Sequence, residues 1–118
     1  MEIVTIPERT KRFSKRLLRF FSQQHQQTTA TRILHAQLIR SGTSIGANVL
    51  EAQYAASRRQ FFQYYRIALR SSRETEYWLD LLRSIYPTDN ATLQDLAEEA
   101  RQISNILYVS LLKSRNLT

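Results

Sequence analysis

The chain has 118 residues, with 17 Lys and Arg against 10 Asp and Glu and a formal net charge of +7. It holds 2 Gly, 2 Pro and no Cys, which excludes a disulfide framework, a thiolate metal site and a cysteine nucleophile. Its size suits one domain spanning residues 1–118. Sheet proteins place Gly and Pro in turns, so their scarcity predicts long helices and few connections. No run is long and apolar enough for a transmembrane span, and the N-terminus lacks the apolar core of a secretory signal, so the cytoplasm is the expected location.

The charge is uneven. Residues 1–27 carry +4, residues 28–56 carry +1, residues 57–86 carry +3 and residues 87–118 carry −1. A basic excess of this kind points to a polyanionic partner.

A first helix is predicted over about 8–25. Pro7 suits its first turn, where a missing N–H is harmless. Ile6, Phe13, Leu17, Phe20 and Phe21 share one arc at helical spacing. The opposite arc holds Arg9, Lys11, Arg12, Lys15, Arg16 and Arg19 with no acid among them. Like charges three and four apart repel, and a helix built only for structure intersperses Glu among them. The face is either solvated or meets phosphate. A polar Gln-rich connection follows. Arg19 and His25 form an Arg-x5-His string that resembles the signature of the HEPN ribonucleases, although that family carries it late in the bundle.

The second helix is predicted over about 29–54, capped by Thr29 or Thr31. Leu34, Leu38, Ile45, Val49 and Ala52 stay in phase straight through Gly42 and Gly46, where a loop would have reset the period. Interior glycines each cost about 1 kcal/mol against Ala, and close approach of another helix is the compensation expected. Gly42, Ser44, Gly46, Asn48 and Glu51 are therefore expected at a packed or inter-subunit surface. Ile39, Thr43, Gly46 and Leu50 form a second, weakly apolar flank.

The third helix is predicted over about 58–86, opened by the Ser57-x-x-Gln60 pattern of a capping box and closed by Pro87. Its core arc holds Phe61, Tyr64, Tyr65, Ile67, Ala68, Trp78, Leu79, Leu82, Ile85 and Tyr86. Arg59, Arg66, Arg70 and Arg73 share another side with Tyr77, a combination that can stack on bases. Local pairing of Arg70 with Glu74, or of Arg73 with Glu76 or Tyr77, is the plainer expectation. A fourth helix over about 91–115, capped by Asp89 or Thr92, carries a heptad seam of Leu93, Leu96, Ala97, Ala100, Ile103, Leu107 and Leu111. The fold expected is all-α, an antiparallel up-down four-helix bundle.

Catalytic constellations are missing. His35 lies near an apolar flank, where a satisfied core histidine is expected. Glu74, Glu76 and Asp80 do not all share one helix face, so no metal is expected, and no cofactor is implied. Gly42 and Gly46 lack the strand and Lys of a phosphate loop. The expectation is a protein that is not an enzyme.

The run from Arg40 through Gly42, Gly46 and Asn48 to Ala52 resembles the signature of bacterial four-helix-bundle proteins encoded in intervening sequences of 23S rRNA genes, the S23 family. The similarity continues through Ser57, Phe61, Tyr65, Ile67 to Leu69, Glu74 to Leu79 and Leu82. It departs from the family pattern at Leu50, where a small residue is common, and in the Gln-rich connection. The same family includes the accessory variability determinant of diversity-generating retroelements, a basic pentameric barrel that partners a reverse transcriptase and binds nucleic acid. The resemblance thus implies a homo-oligomer, a pentamer by that relative, with RNA or DNA and a reverse transcriptase as partners. Lys11, Arg12, Lys15, Arg16 and Arg19 are the first candidates for phosphate contact, and Arg59, Arg66, Arg70 and Arg73 the second. The alternative is a structural bundle of the rRNA-insert type whose basic faces dock acidic protein.

Overall fold

The computed structural model describes residues 3–24, 28–86 and 90–115. Among them are four helices: α1 (Ile6–Ser22), α2 (Thr29–Gln53), α3 (Arg58–Arg83) and α4 (Ala91–Arg115). His25, Pro87 and Asp89 lie outside the described residues.

Each start has a chemical cause. Thr5 caps α1 by accepting from the Glu8 N–H, and the Glu8 carboxylate returns the bond to the Thr5 N–H, a reciprocal box that the sequence reading overlooked. The helix consequently begins two residues earlier than expected. Thr28, rather than Thr29 or Thr31, caps α2 by accepting from the Thr31 N–H at 3.2 Å. Ser57 caps α3 as expected, but Gln60 reaches one residue further back, accepting from the Ala56 N–H at 2.7 Å. Asn90 caps α4: its Oδ1 accepts from the Leu93 N–H at 3.0 Å. Thr92 is the second residue of that helix, already inside the first turn.

The helices pack as a ring in which α2 touches α1 and α3, and α4 touches α3 and α1. Residue pairs run in opposite order along each seam. Leu17 faces Gly42 while Phe21 faces His35; Ser41 meets Thr75 while Ser44 meets Ser71. All four seams are antiparallel in this way, the arrangement short connections favour. Among the described residues, no contact joins α1 to α3, so these two lie on opposite corners. The body measures 49 × 32 × 19 Å.

Phe13, Leu17, Leu38, Ile45, Val49, Leu79, Leu82, Leu93, Leu96, Ile103 and Leu107 fill the centre. Burying each such side chain is worth about 1.5–3 kcal/mol. The glycines of α2 face α1. A methyl on Gly42 would overlap Leu17 Cδ1, and one on Gly46 would meet the Thr10 carbonyl oxygen at 3.3 Å.

Two expected core residues of the third helix are surface residues: Ile67 is 41% exposed, and Ile85, beyond the end of α3 at Arg83, is 52% exposed. Ser72 and Thr75 are buried in the seam instead. Hydroxyls make that possible. Ser72 Oγ lies 2.7 Å from Ser104 Oγ, and Ser104 donates to Glu76 at 2.6 Å. Thr75 Oγ1 lies 3.0 Å from Ser41 Oγ, and Ser71 donates to Ser44 at 3.0 Å. Among the described residues no buried side-chain nitrogen or oxygen lacks a hydrogen-bond partner. An aliphatic period count cannot see a layer that small polar residues build by bonding across the seam.

Candidate nucleic-acid interface

The face of α1 opposite its buried Phe and Leu residues carries Lys11, Arg12, Lys15, Arg16 and Arg19. Arg16 is half-buried and the other four are exposed. None of the five forms an ion pair among the described residues. Arg9, the sixth cation of that arc, does something different. Its Nη2 donates to Glu99 at 2.7 Å and its Nε to the same carboxylate at 2.8 Å, with Gln102 completing the clasp. The bidentate bond raises the Arg9 pKa from an already high value, so this charge is fixed. Arg9 thereby closes the α1–α4 seam, and the free face begins at Lys11.

Arg59, Arg66, Arg70 and Arg73 on α3 are likewise exposed and form no ion pair among the described residues. Neither expected local pair forms. Glu74 bonds Arg40 of α2 and accepts from the Trp78 indole N–H at 2.9 Å, so it is unavailable to Arg70. Arg73 instead sets its guanidinium 5.6 Å from the ring centre of Tyr108 on α4. Because α1 and α3 occupy opposite corners, the two basic faces point away from each other.

Five carboxylates are engaged by bonds of their own. Glu8 caps α1, Glu74 and Glu76 bridge helices, Glu99 holds Arg9, and Glu98 pairs with Arg101 at 2.5 Å. The Arg101 and Gln102 hydrogen bonds pull the Glu98 pKa down to about 2. Three of these carboxylates, Glu74, Glu98 and Glu99, are thus matched by Arg40, Arg101 and Arg9, and none of the three is paired with the α1 or α3 candidates.

The proposed packing residues of α2 divide. Gly42 is buried against α1, and Gly46 is half-buried beside Thr10. Ser44 and Asn48 face α3, where the Asn48 amide donates to the Ser44 carbonyl at 2.8 Å and its hydroxyl at 3.0 Å. Glu51 is exposed. His35 is buried at the bundle end, stacked 4.2 Å from Phe21 with its Nε2 3.3 Å from the Tyr86 hydroxyl. Burial lowers its pKa. No group of three or more His, Asp or Glu among the described residues could hold a metal, and no helix there is long and apolar enough to cross a membrane.

Tyr108 joins the α3 basic face without any signal in the sequence pattern. It follows the seam residue Leu107, and only the register of α4 on α3 places it beside Arg73.

The described residues thus form an antiparallel four-helix bundle with two cationic faces that make no ion pair among them. The chain belongs to the 23S rRNA-intervening sequence protein family, whose pattern matches residues 4–109. It is also similar to a protein of unknown function from the S23 ribosomal protein family of Bacteroides thetaiotaomicron VPI-5482. That crystal structure is 30% identical, with 91% of this chain and 98% of that one aligned at a TM-score of 0.78. No curated protein matches the chain.

Proposed function

We propose that this protein is a non-enzymatic, homo-oligomeric bundle that binds nucleic acid, as an accessory to a reverse transcriptase or near rRNA. The observation that carries this reading is the uninterrupted cationic face of α1, where Lys11, Arg12, Lys15, Arg16 and Arg19 have no carboxylate partner among the described residues. Phosphate neutralisation releases condensed counterions, and that release drives binding without any need for base contacts. Repetition around an oligomer would strengthen a modest patch through avidity.

Support for self-association comes from the groove between α1 and α2. Pro7, Ser14, Gly46, Ala47 and Leu50 line it together with Glu8, Lys11 and Thr43, and its exposed surface is mainly apolar. Leu50 is 52% exposed there. Apolar surface left in water favours a second copy, and the family resemblance implies a pentamer. The cytoplasm is the compartment this reading requires. A cytosolic structural bundle that docks acidic protein through the same faces is the competing reading.

Fluorescence anisotropy with a labelled duplex separates the two. Charge reversal at Lys15 and Arg19 (Lys15→Glu with Arg19→Glu) abolishes binding at low salt if α1 meets phosphate. Absence of binding by the unaltered protein to either RNA or DNA overturns the proposal. Sedimentation equilibrium reads the assembly: a mass at the 13.9 kDa of one chain contradicts the oligomer.

A further inference from the structure

The two basic faces differ in chemistry. On α1 the aromatics Phe13, Phe20 and Phe21 are all buried, so its cationic face offers phosphates only charge. The α3–α4 face offers cations and open rings together. Tyr77 is 57% exposed and Tyr108 45% exposed, and Arg73 sits over the Tyr108 ring. Unstacked bases bind where aromatic faces line a cationic track, because every base has a π-face and stacking tolerates any sequence. A duplex keeps its base faces inside and gains little from such rings.

We infer that the α3–α4 face binds single-stranded nucleic acid, stacking unpaired bases on Tyr77 and Tyr108 while Arg66, Arg70 and Arg73 hold the phosphates. This rests on the nucleic-acid reading of the protein and assigns that activity a second surface and a substrate class. The track from Arg59 to Tyr77 is about 27 Å long at the helical rise per residue. At its end Tyr77 lines a groove of mixed charge with Glu76, Asp80, Glu98, Arg83 and Arg101, in which Glu98 is paired with Arg101. A protein partner is the competing occupant, since exposed Tyr and Arg also anchor protein interfaces.

The test uses the full chain with labelled oligo-U, oligo-dT and a duplex of equal length. Tyr77→Leu and Tyr108→Leu are each expected to weaken single-strand binding about fivefold or more, the usual scale for losing one stacked base. Duplex binding should stay within about twofold, since the duplex uses charge alone. Tyr108→Phe keeps the ring and should bind as the unaltered protein does. Similar losses on oligo-U and oligo-dT are expected because stacking does not read the sugar. Unchanged single-strand affinity in both Leu variants overturns the inference and gives the face to a protein partner. Equal losses on single strand and duplex overturn it too. If the unaltered protein binds no nucleic acid, the functional reading falls first; if only the α1 charge reversal matters, this inference falls alone. Photocrosslinking with an iodouracil-substituted single strand needs no variant. Adducts are expected on Tyr77 or Tyr108, and adducts confined to α1 or α2 contradict the assignment.

Discussion

At the scale of single residues, Gly42 shows what the sequence discloses and what it conceals. Unbroken apolar phase across both glycines reveals a helix, but not which neighbour needs the missing side chains. That neighbour is α1, through Leu17 and Thr10. Leu17 is fully buried, so turning its Cδ1 aside must press on its core neighbours, and Gly42→Ala should destabilise the bundle by about 1–3 kcal/mol as overpacking does. Gly46→Ala meets Thr10 less closely, its carbonyl oxygen at 3.3 Å and its carbonyl carbon and Oγ1 at 3.4 Å. There the helix-propensity gain of about 1 kcal/mol offsets the crowding. Thermal melts of the two variants should therefore diverge, with Gly42→Ala the lower; equal melting temperatures would remove the close-packing explanation. His35 adds a pH dependence. Burial lowers its pKa below 6.5 in the folded chain, so the unfolded chain binds the extra proton first. The stability contributed by neutral His35 is complete above about pH 6.5 and is lost as pH falls toward the lower folded value. Urea midpoints should drop between pH 7 and 5 in the unaltered protein and drop less in His35→Gln. A parallel fall in both would show that other groups dominate.

Among the elements, α4 was the most legible and α3 the least. The heptad seam of α4 is aliphatic and repeats as expected, with Leu93, Leu96, Ala100, Ile103 and Leu107 buried. The inward face of α3 is interrupted by Ser72 and Thr75, whose hydroxyls find Ser104 and Ser41 on neighbouring helices. Those partners are 32 and 34 residues away in sequence, beyond any local pattern. The same distance hid the Arg9 clasp to Glu99, which is 90 residues away. Its side chains are only partly exposed, at 25% and 18%, and the geometry is bidentate. A double-mutant cycle of Arg9→Gln with Glu99→Gln should give a coupling of about 1 kcal/mol, at the upper end for such pairs. A coupling of zero would make the clasp incidental to the α1–α4 seam.

For the whole molecule, the sequence revealed two basic helices but not their relation. Only the ring order of the bundle puts α1 and α3 on opposite corners, with Glu74, Glu76 and Glu99 bonded across helices. One rigid duplex cannot lie along both faces of a single protomer. Phosphate contact by the α1 face is read from the salt dependence of duplex binding. Each phosphate neutralised contributes about −0.9 to the slope of log K against log salt. The slope should be steep and negative for the unaltered protein, and flattened by about 2 in the Lys15→Gln, Arg19→Gln variant. A slope near zero, or a variant whose slope matches that of the unaltered protein, would contradict phosphate contact by α1.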